Sequence, residues 1–185
     1  MIGIVLAGGE SRRFGSPKAF GEYGGRFFYE YAAEALALHC METVIAARPE
    51  YADRFPDAYT VILDVPEYAG HGPLAGILAA METIDSDWYA VLPCDVPFAD
   101  SRIFDVLLAH REDGGEVIAL EAEDRLHPLL SIWHRRSAPR IREALESGRR
   151  SVRPLIDTWA DGSRLLEENP AIFDNVNRPG QLEGR

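Results

Sequence analysis

The chain has 185 residues, 46% of them hydrophobic and 26% charged, the size and balance of a soluble globular domain with a substantial core. Nineteen Lys and Arg stand against thirty Asp and Glu, and the net charge of −11 argues against nucleic acid or an anionic membrane as a partner. No apolar run approaches the roughly 18 residues of a membrane span, and no basic segment precedes Ile2, so no signal peptide is expected and the cytoplasm is the expected compartment.

Residues 2–7 form a continuous apolar run, the pattern of a parallel strand buried on both faces, and the run stops at Gly8-Gly9. A helix is predicted over 27–38, then short strands over 43–47 and 59–63, separated by a Pro-containing loop with one helical turn at 48–58. Residues 64–73 read as a loop leading into a helix at 74–84, with Pro73 in its first turn. A second strongly buried strand, 88–92, ends in Pro93-Cys-Asp-Val-Pro97, and Asp100 or Ser101 caps a helix that runs to His110.

Strands follow at 116–122 and 129–133, then a helix at 135–147 closed by Gly148 and a short helix at 152–159. A weak strand at 163–166 and the stretch 172–177 complete the pattern, with a last helical turn at 178–182. No repeat or linker divides the chain, so one domain is expected over residues 1–185. Strands alternating with helices predict a three-layer α/β/α domain. Right-handed crossovers would bring the loops at Gly8, Asp64 and Asp95 together at the C-terminal edge of the sheet.

The first loop carries the main chemical signal. Gly8, Gly9 and Gly15 allow close backbone approach, and Arg12, Arg13 and Lys18 add positive charge, a combination suited to a polyphosphate. A Walker A loop is excluded, because Lys18 lies three residues beyond Gly15 and is followed by Ala19; the dinucleotide fingerprint Gly-x-Gly-x-x-Gly is also absent. Taken alone, a glycine pair after a strand is more often just a turn. Asp95 has two readings, a turn or capping carboxylate and a Mg²⁺ ligand shared with phosphates and waters. Asp64 is either a strand-end turn residue or a nucleotide contact. His71 reads as a loop histidine without an assigned role. Cys40 and Cys94 lack metal-ligand spacing and read as small buried side chains rather than a disulfide.

The segment Leu6-Ala-Gly-Gly-Glu-Ser-Arg-Arg-Phe-Gly-Ser-Pro-Lys18 resembles the signature loop of nucleotidyltransferases, most closely that of the molybdenum cofactor guanylyltransferases (MobA). Pro93-Cys-Asp-Val-Pro97 is similar to that family's Cys-Asp-x-Pro metal motif, and Gly72-Pro-Leu-Ala-Gly76 to its nucleoside-bordering segment. His127-Pro-Leu129 and Asn175-Val-Asn-Arg-Pro179 resemble two weaker family marks, though the asparagines could equally cap the final turn. The resemblance implies a Rossmann-like, mostly parallel mixed sheet of the nucleotide-diphospho-sugar-transferase type. It also implies transfer of GMP from GTP to the terminal phosphate of molybdopterin.

Under the resemblance, Lys18, Asp95 and Arg13 are the catalytic candidates and Asp95 holds Mg²⁺. Leu6, Ala7, Gly8, Gly9, Lys18, Asp64, Gly72, Gly76 and Asp95 bind GTP; His127, Asn175 and Asn177 face the pterin. It admits transient contact with other proteins of molybdenum cofactor biosynthesis. Two departures stand out: Ser16-Pro17 where many relatives carry an aspartate before the lysine, and Arg178 where a threonine is common. Cytidylyl transfer to the same pterin, sugar-phosphate nucleotidyl transfer and a non-catalytic nucleotide-binding adaptor are the competing readings. The presence of both Lys18 and Asp95 disfavours the adaptor.

Overall fold

The computed structural model describes residues 1–9, 15–111, 115–122, 125–165 and 176, with backbone alone for 157–165. The strands in chain order are β1 (Ile2–Leu6), β2 (Glu22–Tyr23), β3 (Arg26–Phe27), β4 (Glu42–Ala47) and β5 (Thr60–Leu63), followed by β6 (Trp88–Pro93), β7 (Val117–Ala122), β8 (Arg125–His134) and β9 (Ala160–Leu165). Among the described residues seven of these strands form one sheet in the order β5-β4-β1-β6-β8-β7-β9, and β2 and β3 form a separate hairpin. β5, β4, β1 and β6 run parallel, β8 is antiparallel to both of its neighbours, and β9 is parallel to β7.

β1 lies in the middle of the parallel group, which explains its unbroken apolar sequence: Val5 faces one layer of helices and Ile4 the other. Helices α1 (Phe28–Ala37) and α3 (Arg102–Ala109) cover the Val5 face through Leu36, Ile103 and Phe104. Helices α2 (Pro73–Thr83), α4 (Ala138–Glu146) and α5 (Arg153–Trp159) cover the Ile4 face through Ile77, Ile141 and Leu155. The result is the expected three-layer architecture. One expectation fails: α1 and α3 lie on the same face, yet β1-α1-β4 and β6-α3-β7 travel in opposite directions across the sheet. The two crossovers therefore have opposite hand and cannot both be right-handed.

The sequence pattern missed the β2–β3 hairpin. Its turn is Gly24-Gly25, with φ of 56° and 78°, the doubly positive conformation that a two-residue hairpin turn requires. β8 begins earlier than the predicted strand at 129–133. The pairing jumps from Ala119↔Ser131 to Leu120↔His127, so residues 128–130 bulge out and the strand resumes beyond them. Pro128 has no N–H to give the ladder, which accounts for the interruption. β9 spans Ala160–Leu165 rather than 163–166. The predicted elements at 172–177 and 178–182 lie outside the described residues except for Val176.

Candidate nucleotide-binding site

The parallel register places the ligand-facing positions in a row. Leu6 pairs with Ala46 on one side and Pro93 on the other, and Ala47 pairs with Leu63. Carried one or two residues past the strand ends, this register puts Asp64, Arg48, Gly8 and Asp95 at one level across β5, β4, β1 and β6. Three inter-strand steps span about 14 Å, the scale of an extended nucleoside triphosphate. The row stands at the C-terminal edge of the sheet, where the chain reverses its order across β1, the usual location of a ligand in open α/β sheets.

At the β6 end, the Lys18 ammonium donates to Asp95 Oδ2 at 2.8 Å, with both side chains less than one-fifth exposed (17% and 19%). Lys18 reaches this position from a short 3-10 turn, Lys18–Phe20, whose Ala19 and Phe20 pack into the α1 layer. Asp95 is held from below: Cys94 N–H donates to the Leu6 carbonyl at 3.1 Å, and the Asp95 carbonyl accepts Val176 N–H at 2.7 Å. This last bond brings the Asn-Val-Asn motif to Asp95 through its central residue; Asn175 and Asn177 themselves lie outside the described residues. Cys94 is buried, which pushes its thiol far up and leaves it an inert packing group. Cys40 is likewise a free thiol, pushed up to about 11 by burial.

On β1, Ala7 N–H is spent on the Ala46 carbonyl at 2.8 Å and the Leu6 carbonyl on Cys94. Leu6 and Ala7 therefore serve as strand rather than as ligand contacts through those groups. Gly8 and Gly9 are exposed, and a side chain built on Gly9 would meet nothing within 4 Å. Gly15, on the far side of the loop, has φ of 80°. Arg13 lies outside the described residues.

At the β5 end, Asp64 Oδ2 accepts Gly70 N–H at 2.9 Å, which closes the loop before α2. Burial raises the Asp64 carboxyl above its ordinary range, while the Gly70 bond, Arg48 and His71 pull it back. Gly72, the N-cap of α2, has φ of 82°, and a β-carbon there would stand 3.2 Å from the Arg150 carbonyl. Gly76 requires a correction. It is buried, and a β-carbon on it would lie 3.0 Å from Ala46 Cβ and 3.4 Å from Leu6 Cδ2. Its missing side chain therefore lets α2 close onto the sheet instead of making room for a ligand. Among the described residues, His71 Nδ1 is a buried polar atom with no hydrogen-bond partner, held between Gly70 and Gly72.

His127 is 9% exposed and lies opposite Leu120 at the start of β8, on the far side of β6. Burial, then Arg125, lowers its imidazole below the ordinary value. Behind it, the fully buried Ser131 hydroxyl accepts Trp133 Nε1–H at 2.8 Å and donates to the Pro128 carbonyl at 3.1 Å, bracing the 128–130 bulge. Asp100 is a capping residue, as its sequence position suggests: its carboxylate accepts Arg102 N–H at 2.9 Å and pairs with the Arg102 guanidinium, which lowers its pKa.

Two cation sources at this edge were not singled out from the sequence. Arg48 follows β4 directly. Arg149, Arg150 and Arg153 are exposed and make no ion pair among the described residues, whereas Arg26, Arg102, Arg135, Arg140 and Arg142 are all salt-bridged. The Arg149–Arg153 stretch adjoins Gly72 through the Arg150 backbone, which brings this positive charge near the start of α2. The readable signal was Gly-Arg-Arg-Ser-Val-Arg itself, a dense basic stretch in a chain of charge −11.

The model of the MobA-like NTP transferase domain matches residues 3–163. A probable molybdenum cofactor guanylyltransferase of Halalkalibacterium halodurans is 37% identical over 188 residues, covering 98% of this chain and 95% of that one. The probable molybdenum cofactor guanylyltransferase of Bacillus subtilis is 37% identical over 181 residues, covering 95% and 89%. The crystal structure of molybdopterin-guanine dinucleotide biosynthesis protein A from Archaeoglobus fulgidus superposes with a TM-score of 0.79 at 22% identity, covering 99% of this chain and 95% of that one, and supports the fold. Domain match, near-full-length relatives and the row of site residues agree: the chain belongs to the MobA-like NTP transferase family.

Proposed function

We propose that the protein transfers GMP from GTP to the terminal phosphate of molybdopterin, forming molybdopterin guanine dinucleotide and releasing pyrophosphate. The observation that carries this reading is the row Asp64, Arg48, Gly8 and Asp95, closed at its β6 end by the Lys18–Asp95 pair. An oxygen of the acceptor phosphate attacks the α-phosphorus of GTP. The new P–O bond forms as the bond to the β-phosphate oxygen breaks, and its electron pair leaves with pyrophosphate. Such a reaction asks the protein for alignment and charge neutralisation rather than covalent participation.

Lys18 supplies a cation beside the reacting phosphates, and the backbone at Gly8 and Gly9 lets the polyphosphate approach the sheet edge. Arg13, from the same loop, would add a second charge. Asp64 and the Gly72 end of α2 border the nucleoside. Across β6, His127, Asn175 and Asn177 would meet the pterin, while the basic stretch Arg149–Arg153, beside Gly72, would add positive charge at the nucleoside end.

The donor set fits Mg²⁺ carried by the nucleotide. Among the described residues no group of three or more His, Cys, Asp or Glu forms an all-protein metal site. One carboxylate, Asp95, with phosphate oxygens and water is the arrangement Mg²⁺ favours, and the Lys18 ammonium on Asp95 already marks a cation position. When bound, Mg²⁺ would neutralise charge that develops on the leaving phosphates. Among the described residues no helix is long and apolar enough to cross a membrane; the compartment proposed with this reading is the cytoplasm.

Pyrophosphate release with Mg²⁺, a molybdopterin donor and GTP, CTP or ATP tests the reading. GTP-dependent release with formation of the guanine dinucleotide is expected. Release with CTP at an equal or greater rate would replace guanylyl by cytidylyl transfer.

A further inference from the structure

We propose that Arg48, acting beside Asp64, is the residue that selects guanine at this site; the inference rests on the nucleotidyl-transfer reading above and adds the identity of the base reader. The register places Arg48 and Asp64 at one level on adjacent strands, and Arg48 is one of the charges that acts on the Asp64 carboxyl. The Arg48 stem lies against Gly8, where a β-carbon would stand 3.7 Å from its Cγ, so its root is fixed next to the phosphate loop. Its guanidinium is parked on Glu50, Nε to Oε1 at 3.0 Å, with one-third of the side chain exposed (33%). An exposed ion pair of this kind is a weak tether. The fork can swing from Glu50 toward a ligand without breaking a buried bond.

The chemistry of the pair matches one base. Guanine carries two acceptors, O6 and N7, directly beside two donors, N1–H and the N2 amine. A guanidinium fork donates to O6 and N7 together, and a carboxylate can only accept, here from N1–H and N2. Adjacent strands about 4.8 Å apart present this donor fork and this acceptor side by side. Adenine puts an amine where O6 stands and an acceptor where N1–H stands, so both halves of the pair meet the wrong group. Cytosine likewise turns an amine toward the fork. The β5–β4 side of the row is also far enough from Asp95 and Lys18, by about two to three strand spacings, for the base to lie here while the phosphates lie on β1 and β6.

Calorimetric titration of the full-length protein in Mg²⁺ buffer tests this without any acceptor, using GTP, 7-deaza-GTP (C–H in place of N7) and ATP. Wild type should bind 7-deaza-GTP roughly tenfold more weakly than GTP. Arg48→Met should weaken GTP by a similar factor and then bind GTP and 7-deaza-GTP alike. Arg48→Lys keeps the charge and should hold ATP as wild type does while losing most of the preference for guanine; unchanged thermal melting of both variants confirms that they fold. A wild type indifferent to the N7 replacement would overturn the inference. So would an N7 penalty that persists in Arg48→Met, or equal weakening of GTP and ATP in both variants. A wild type that binds and turns over CTP in preference to GTP would overturn the guanylyl reading as well, so the two failures are told apart.

Discussion

The sheet has two halves that meet at β6, and they are built differently. From β5 to β6 four parallel strands keep an unbroken register, and side chains at the strand ends line up because the backbone does. Beyond β6 the sheet reverses direction at β8, and the register breaks between Ala119 and Leu120 and again between Val117 and Ala119. Ligand-facing groups in that half cannot be placed by counting along strands. They are placed by local braces, chiefly the Ser131 hydroxyl between Trp133 and Pro128. A triphosphate is a repeating chain of similar groups and suits an evenly spaced row. An acceptor whose shape is its own suits an irregular wall.

Mutations at the end of the regular row should give the largest effect. Asp95→Asn keeps the shape but removes the charge that holds Lys18 and that is proposed to hold Mg²⁺; turnover should fall roughly 100- to 1,000-fold, as for other losses of charge stabilisation, with a displaced Mg²⁺ titration and an unchanged melting temperature. Lys18→Ala should fall in the same range on the same assay. Unaltered Mg²⁺ dependence in Asp95→Asn would move the metal elsewhere.

Next in size, Gly76→Val forces a branched side chain into the 3.0 Å gap to Ala46 and should lift α2 from the regular half. A stability loss of about 2 kcal/mol is expected, read as a melting shift of roughly 4–8 °C, together with weaker GTP binding. An unchanged melting temperature would show that α2 is not wedged against β4.

Ser131→Ala probes the irregular half. It strands the Trp133 indole N–H and the Pro128 carbonyl, a loss of about 1–3 kcal/mol. The signature that separates a positioning role from mere destabilisation is a several-fold rise in KM for the pterin donor with KM for GTP unchanged, and partial rescue by Ser131→Thr. A parallel rise in both KM values would mean that the two halves are not independent.

The smallest effect is electrostatic. His127 has a folded pKa lowered by burial, so its neutral form contributes stability that is fully present above the ordinary histidine value of about 6.5 and is lost as pH falls through the lowered folded value. Melting curves between roughly pH 7.5 and 5 should therefore decline less steeply in His127→Gln than in wild type. Identical slopes would assign the acid sensitivity to other groups, including His134, whose pKa burial also lowers.

This division also explains what could be read from the residues alone. The buried runs at 2–7 and 88–92, the glycine loop and the Pro-Cys-Asp-Val-Pro motif identify strands and strand-end loops, and in a parallel group those features fix the site. Lys18 and Asp95 meet as their chemistry suggests, although 77 residues separate them. Arg48 escaped because its function depends on register with Gly8 and Asp64, which pairing alone reveals. Gly76 looked like a ligand-facing glycine because helix packing and ligand approach ask the same thing of a residue, the absence of a β-carbon. The start of β8 was hidden by Pro128, since a strand that bulges and resumes has no continuous alternation to detect. The β2–β3 hairpin had a signal, Gly24-Gly25, but only two residues on each side.

The hydrogen bond from Val176 to the Asp95 carbonyl also bears on how the site is assembled. The residue whose N–H braces the Asp95 carbonyl stands far along the chain from the phosphate loop, beyond every strand of the parallel half. A chain released early can complete the parallel strands and their helices and still lack this clamp. For the same reason, a fusion placed after residue 176 calls for a linker that leaves this one backbone bond undisturbed.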